Sequence, residues 1–144
     1  MTTATHSAAP TTRRTGLHVT LWVVQVLLAA FFAMTGIMKL TQPIDALAAS
    51  LPWVTTVPAA LVRFIGTAEF AGALGLLLPS LTRIQPRLTA LAGLGLAVVM
   101  LLAAGFHATR REMGMLPMNL VIGLVALFVA WGRGKAAPIA PRRS

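Results

Sequence analysis

The sequence predicts an all-α integral membrane protein: a four-helix bundle with both termini cytoplasmic and a short interfacial helix between spans one and two. Three observations carry this expectation. The chain of 144 residues is 57% hydrophobic and only 10% charged, with a mean hydropathy of +0.82, whereas a soluble domain carries about a quarter charged residues. Its apolar residues fall into blocks of about twenty, the length that crosses a hydrocarbon core at about 1.5 Å per residue. Its basic residues sit in short clusters flanking those blocks, which is how topology determinants are placed. One membrane domain accounts for the whole length.

Span one, residues 17–40, reads "LHVTLWVVQVLLAAFFAMTGIMKL" and follows a Thr-rich tail, 1–16, expected to be flexible and cytoplasmic. The run exceeds the h-region of a secretory signal, about 7–15 residues, and closes on Lys39. It is therefore read as a retained span, with Arg13 and Arg14 as its topology anchor. Residues 41–57, "TQPIDALAASLPWVTTV", are too short and too weakly apolar to cross. They suit an interfacial helix with Trp53 at head-group depth. Span two, residues 57–78, has Pro58 in its first turn, where proline is tolerated. Pro79 and Pro86 mark 78–87 as a turn. Spans three and four cover 88–107 and 115–131, with Pro117 in the first turn of the last, and 133–144 is a basic tail expected to be flexible. Arg13, Arg14, Arg83, Arg87, Arg133, Lys135, Arg142 and Arg143 share one side. Lys39, Arg110 and Arg111 lie on the other, so the first side is expected in the cytoplasm of a cell with an inner membrane.

The polar residues within the spans repeat at helical intervals. His18, Trp22, Gln25, Ala29, Phe32, Gly36 and Lys39 share one face of span one. Gly66, Glu69, Gly72 and Ala73 share a face of span two; Gly93, Ala97, Met100, Ala104 and His107 of span three; Asn119, Gly123, Ala126 and Ala130 of span four. Small residues let membrane helices approach, and polar ones then hydrogen-bond across the seam. Gln25, Gly36, Gly66, Gly72, Gly93 and Gly123 are thus the candidate helix-interface residues. Lys39, Arg63, Glu69, His107 and Asn119 converge on the outer half of the bundle and form the candidate polar pocket. Arg63 and Glu69 are six residues apart, about 120° around a helix, so they do not pair well within it. Glu69 needs a donor from across the bundle, for which Lys39, Arg63, His107 and Asn119 are all candidates.

The same residues limit the chemistry. No basic helix or aromatic–basic interleaving is present, so nucleic acid is not an expected partner. There is no cysteine, which excludes disulfides, thiolate metal sites and a CxxC relay in this chain. No metal is expected from one intramembrane carboxylate and one histidine. Haem held by two histidines is not expected either, because His18 and His107 fall at opposite membrane faces, about 30 Å apart.

"GIMKL" closing span one, "GTAEFAGALGLLLP" in span two and a histidine ending span three together resemble the DoxX-like family of small four-span membrane proteins. The matching positions are Gly36, Lys39 and Leu40; Gly66, Glu69, Gly72 and Gly75; and Ala103 and His107. The resemblance covers about residues 17 to 132. It implies an integral membrane bundle; some members of the family partner quinone-linked sulfur oxidation or oxidative-stress enzymes and most have no established activity, so it names no reaction for the chain itself.

Two readings of Glu69 stand side by side: an ion pair that fixes bundle register, and a proton-relay or ligand site in an apolar setting. Lys39 and His107 read first as rim residues, Lys39 snorkelling to the head groups, and Gln25 and Asn119 as interhelical glue. The leading expectation is an accessory or scaffold subunit of a membrane redox complex, its pocket holding a quinone or lipid or docking a membrane-associated oxidoreductase. The alternatives are a small proton-coupled transporter working through Glu69, and a chaperone or structural protein without a ligand. No nucleophile–base constellation or cofactor motif marks the chain as an enzyme by itself, and the oligomeric state is not encoded legibly.

Overall fold

The computed structural model describes residues 11–142, with side chains from Thr15. Residues 1–10 of the expected N-terminal tail, and 143–144, lie outside the described residues. The chain forms helices α1 (Thr11–Thr41), α2 (Ile44–Ala48), α3 (Ala59–Thr82), α4 (Arg87–Thr109) and α5 (Leu116–Trp131). Short 3-10 turns at Pro52–Thr56 and Met113–Met115 and a π-helical turn at Gly132–Ala136 complete it. Four helical segments are long and apolar enough to cross a membrane: Thr15–Thr41, Ala59–Thr82, Arg87–Thr109 and Met113–Ala136. The fold is the all-helical bundle that the hydropathy blocks predict.

Packing follows chain order, α1 against α3, α3 against α4 and α4 against α5. The end of α5 returns to α1 and closes the ring: a Cβ added to Gly132 would run into the Leu21 side chain. Leu28, Phe32, Ala73, Leu76, Leu96, Met100 and Val129 form the central core. Leu27, Leu101 and Leu124, each about two-thirds exposed, point away from it. A shell of bare leucine and valine around the whole bundle is the surface that lipid covers.

Two seams need glycine. At the α1–α3 crossing a Cβ on Gly36 would lie 2.9 Å from both the Gly66 carbonyl oxygen and the Phe70 nitrogen, which are backbone atoms and cannot move aside. At the α4–α5 crossing a Cβ on Gly93 would lie 3.0 Å from the Ala126 carbonyl oxygen.

One end of the bundle, here called the α2 end, carries α2, the Pro52–Thr56 turn and the 110–115 loop. Leu47, Val54 and Val62 bury a small second core there, and Trp53 packs edge-on against Phe106 at 6.0 Å. The expected single interfacial helix is thus two short pieces, broken before Pro52. The other end, the terminal end, carries both chain termini and the 83–86 turn.

Three segments differ from their sequence-based bounds. α3 runs past Pro79 to Thr82 rather than stopping at Leu78. Pro79 removes the N–H that would bond the Gly75 carbonyl; at the neighbouring position Gln25 of α1 donates to the Leu76 carbonyl at 2.5 Å. Thr11–Gly16, expected in the tail, is helical. Beyond Trp131 the described chain runs back to the 83–86 turn: the Arg142 N–H donates to the Arg83 carbonyl at 2.9 Å, and Arg83 Nε donates to the Ala140 carbonyl at 3.2 Å. Arg83, at φ 59°, ends α3 in the left-handed conformation common just past a helix.

Candidate functional site

Lys39 and Glu69 meet across the α1–α3 seam. Lys39 Nζ donates to both carboxylate oxygens of Glu69, at 2.9 and 2.7 Å, and the two residues are 6% and 3% exposed. The glycines explain how. Gly36 and Lys39 are one turn apart on α1, as Gly66 and Glu69 are on α3, so each glycine clears space beside the partner helix. A Cβ on Gly66 would sit 2.8 Å from Lys39 Cβ. Lys39 therefore turns inward to a counter-charge rather than snorkelling outward.

Arg63, half-buried and about one and two-thirds turns from Glu69, grips the same end of α1. It donates to the Lys39 carbonyl through Nη1 and to the Gln42 carbonyl through Nη2 at 2.7 Å. The last carbonyls of a helix lack intrahelical partners and carry partial negative charge, so a guanidinium is well placed there. α3 thus holds Lys39 twice, by its side chain through Glu69 and by its backbone through Arg63.

His107 belongs to a different cluster. Its Nδ1 lies 2.6 Å from Glu112 Oε2, while Glu112 Oε1 accepts from Arg110 Nε at 2.8 Å. Arg110 also donates to Thr56 Oγ1 at 3.1 Å and lies over the Phe106 ring at 5.4 Å. This loop cluster staples the α4 end to the 3-10 turn. The hydrogen bond from His107, and next that from Arg110, hold the Glu112 carboxyl below its usual 4.5. Asn119 is 5% exposed, and its Nδ2 has no partner among the described residues.

Of the five expected pocket residues, the structure joins Lys39, Glu69 and Arg63 around the end of α1. It gives His107 to Glu112 and leaves the Asn119 amide without an acceptor among the described residues. Gln25, Gly36, Gly66, Gly93 and Gly123 are buried on helix seams, and Gly72 is half-buried with Leu96 packed over it.

The sequence reading missed a second polar cluster, at the terminal end. Arg133, counted there as a solvated flank, is 3% exposed. Its Nε donates to Gln25 Oε1 at 2.8 Å, its Nη1 lies 3.2 Å from His18 Nδ1, and its guanidinium covers the Trp22 ring at 5.0 Å. Trp22 in turn donates to His18 Nε2 at 3.1 Å. The signal was present, because Arg133 continues the stripe Asn119, Gly123, Ala126, Ala130 at the next helical interval.

Fold and site together define a small polytopic α-helical membrane protein whose buried ionisable groups, Lys39, Glu69, His107 and Arg133, lie on the inner faces of its helical segments. A model of the DoxX-like family matches residues 23–129. The chain belongs to the DoxX-like family. No curated protein and no solved structure matches it. The matched interval includes Lys39, Arg63, Glu69, His107 and Asn119, and it stops short of His18, Trp22 and Arg133.

Proposed function

We propose that this chain is an accessory or scaffold subunit of a membrane redox complex, quinone-linked or serving oxidative-stress defence. In this reading it resides in the cell inner membrane with both termini in the cytoplasm. The α2-end groups Lys39, Arg63, Glu69, His107 and Asn119 receive a quinone head group or a lipid, or dock a membrane-associated oxidoreductase. The observation that favours a ligand is the Asn119 amide: a buried N–H with no acceptor among the described residues. Such a group costs about 1–3 kcal/mol when left unpaired, and a quinone or ester carbonyl is an acceptor that relieves this cost. With no cysteine in the chain, thiol electron chemistry falls to a cofactor or a partner. The transporter alternative has weaker support, since Lys39 occupies both oxygens of Glu69.

The test is native mass spectrometry of the full chain, extracted from its own membrane in mild detergent. A quinone, a lipid or an oxidoreductase subunit is expected to co-purify. It should be lost from Asn119→Leu while the helical circular dichroism is retained. An empty monomer from the wild-type preparation would reject the reading in favour of a purely structural role. Retention of the same ligand by Asn119→Leu would remove Asn119 from the site.

A further inference from the structure

The terminal end buries a positive charge with no carboxylate beside it among the described residues. The chain has three acidic residues, Asp45, Glu69 and Glu112. Asp45 lies in α2, Glu69 is bound by Lys39, and Glu112 is shared by His107 and Arg110. None of these ion pairs reaches Arg133, which is nevertheless 3% exposed. A buried cation without a counter-charge is among the more destabilising arrangements a fold can contain.

The cluster is also short of acceptors. Arg133 Nε is satisfied by Gln25 Oε1, and Nη1 has only the Ala137 carbonyl at 3.4 Å besides His18 Nδ1, while Nη2 has no partner among the described residues. The His18 ring is flanked by two donors, Trp22 Nε1 on one nitrogen and Arg133 Nη1 on the other. A neutral imidazole has one acceptor nitrogen and one N–H. Whichever tautomer is present, an N–H of the ring faces another N–H.

A concavity of about 340 Å³ is lined by Thr15, His18, Ala136, Ala137 and Pro138, with the Arg133 guanidinium lying behind its His18 and Ala137 walls. Two of its walls, His18 and Ala137, are the residues that Arg133 Nη1 contacts. The exposed Lys135 adjoins it on the chain, and Arg83 and Arg87 lie at the same end. The lining residues sit at or just past the ends of the apolar segments Thr15–Thr41 and Met113–Ala136.

We propose that this concavity binds a phosphate group, the phosphodiester of an anionic lipid or free inorganic phosphate. Its oxygens accept the spare N–H groups of Arg133 and His18 and neutralise the guanidinium. Arginine suits this task because its planar fork offers paired donors to a tetrahedral oxyanion. The site is separate from the α2-end groups and does not depend on their role.

Trp22 is a built-in reporter, stacked on Arg133 and hydrogen-bonded to His18. The experiment uses the full chain, delipidated in neutral detergent, with Trp53→Phe and Trp131→Phe so that Trp22 alone emits. It is titrated with dioctanoyl phosphatidylglycerol, with inorganic phosphate, and with dioctanoylglycerol as the phosphate-free control. A saturable change in Trp22 emission with phosphatidylglycerol is expected, weakened about tenfold or more in Arg133→Gln by loss of charge-assisted hydrogen bonds. Saturation by inorganic phosphate at similar concentration assigns the site to the free anion, and response to phosphatidylglycerol alone assigns it to lipid. Should Arg133→Gln not fold, His18→Phe, which keeps the ring and removes its nitrogens, is expected to weaken binding several-fold. The proposal is overturned if dioctanoylglycerol gives the same signal, if neither phosphate species gives one, or if a folded variant binds as tightly as its parent.

Discussion

Removing one partner of the Lys39–Glu69 pair should be far more damaging than removing both. The side chains are 7% and 4% exposed, and both carboxylate oxygens are committed to one ammonium at 2.7 to 2.9 Å. Glu69→Met strands the ammonium among α1 and α3 side chains, and Lys39→Met strands the carboxylate. Breaking such a pair costs about 3–5 kcal/mol, whereas replacing both members by apolar residues of similar volume is often neutral or stabilising. The double variant Lys39→Met/Glu69→Met should therefore recover most of the loss, giving a coupling energy of several kcal/mol. The assay is reversible unfolding in mixed detergent micelles, followed by circular dichroism across a complete double-mutant cycle. Single variants within about 1 kcal/mol of wild type, or a double variant as unstable as the two singles combined, would refute the picture of a desolvated pair. Run beside the native mass spectra, the cycle also separates roles. If the pair only sets register, the double variant keeps its ligand or partner; if the charges bind it, the variant folds and comes out empty.

Gly36→Ala is expected to lose about 1–3 kcal/mol in the same unfolding assay, because the new methyl meets backbone at 2.9 Å. Gly95→Ala, with nothing within 4 Å of the new Cβ, should be neutral or gain up to about 1 kcal/mol from helix propensity; equal losses at both sites would contradict the crossing. Gln25→Leu removes the acceptor of Arg133 Nε and the donor to Leu76, and should cost about 3 kcal/mol or more, read as a fall in thermal midpoint. Glu112 gives a pH dependence of definite sign. Its folded pKa is depressed below 4.5, so its contribution is fully present above 4.5 and is lost as pH falls through the lower folded value. Trp53 emission, which reports on the Phe106 contact, should change over that acid range in the parent and not in Glu112→Gln.

Helical periodicity located the inner faces well, because inside a membrane small and polar residues gather where helices meet and long aliphatic ones face lipid. Every member of the stripe Gly93, Ala97, Met100, Ala104 and His107 is buried. Choosing among partners was beyond it. Lys39, Arg63, His107 and Asn119 were equally available to Glu69, and the choice fell to Lys39 because Gly36 and Gly66 bring α1 and α3 into backbone contact. That is a property of two helices together and of neither sequence alone. Charge counting read Arg133 as part of the basic tail and missed its burial for a related reason. A basic residue after an apolar block is ordinarily solvated, but here the helix continues through a π-helical turn and aims the guanidinium at Gln25. Helix length past the last apolar residue depends on what the neighbouring helix offers, and Gln25 lies 108 positions away in the chain.

The two buried polar layers treat charge in opposite ways. Lys39 and Gln25 are about 21 Å apart along α1, on one continuous face, so the same helix serves both. At Lys39 the fold supplies a carboxylate, and the positive charge is cancelled within the chain. At Gln25 it supplies only an amide, so Arg133 keeps its full charge inside a layer of N–H donors. A protein that needed Arg133 only for packing would be served better by an apolar side chain at that position, since neither the desolvation cost nor the orphaned Nη2 would then arise. Ionisable groups inside a membrane bundle are costly and mark functional sites, facing the interior or a cavity. On this reasoning the Lys39–Glu69 pair is balanced within the chain, and Arg133 is the buried charge left for the proposed phosphate to balance.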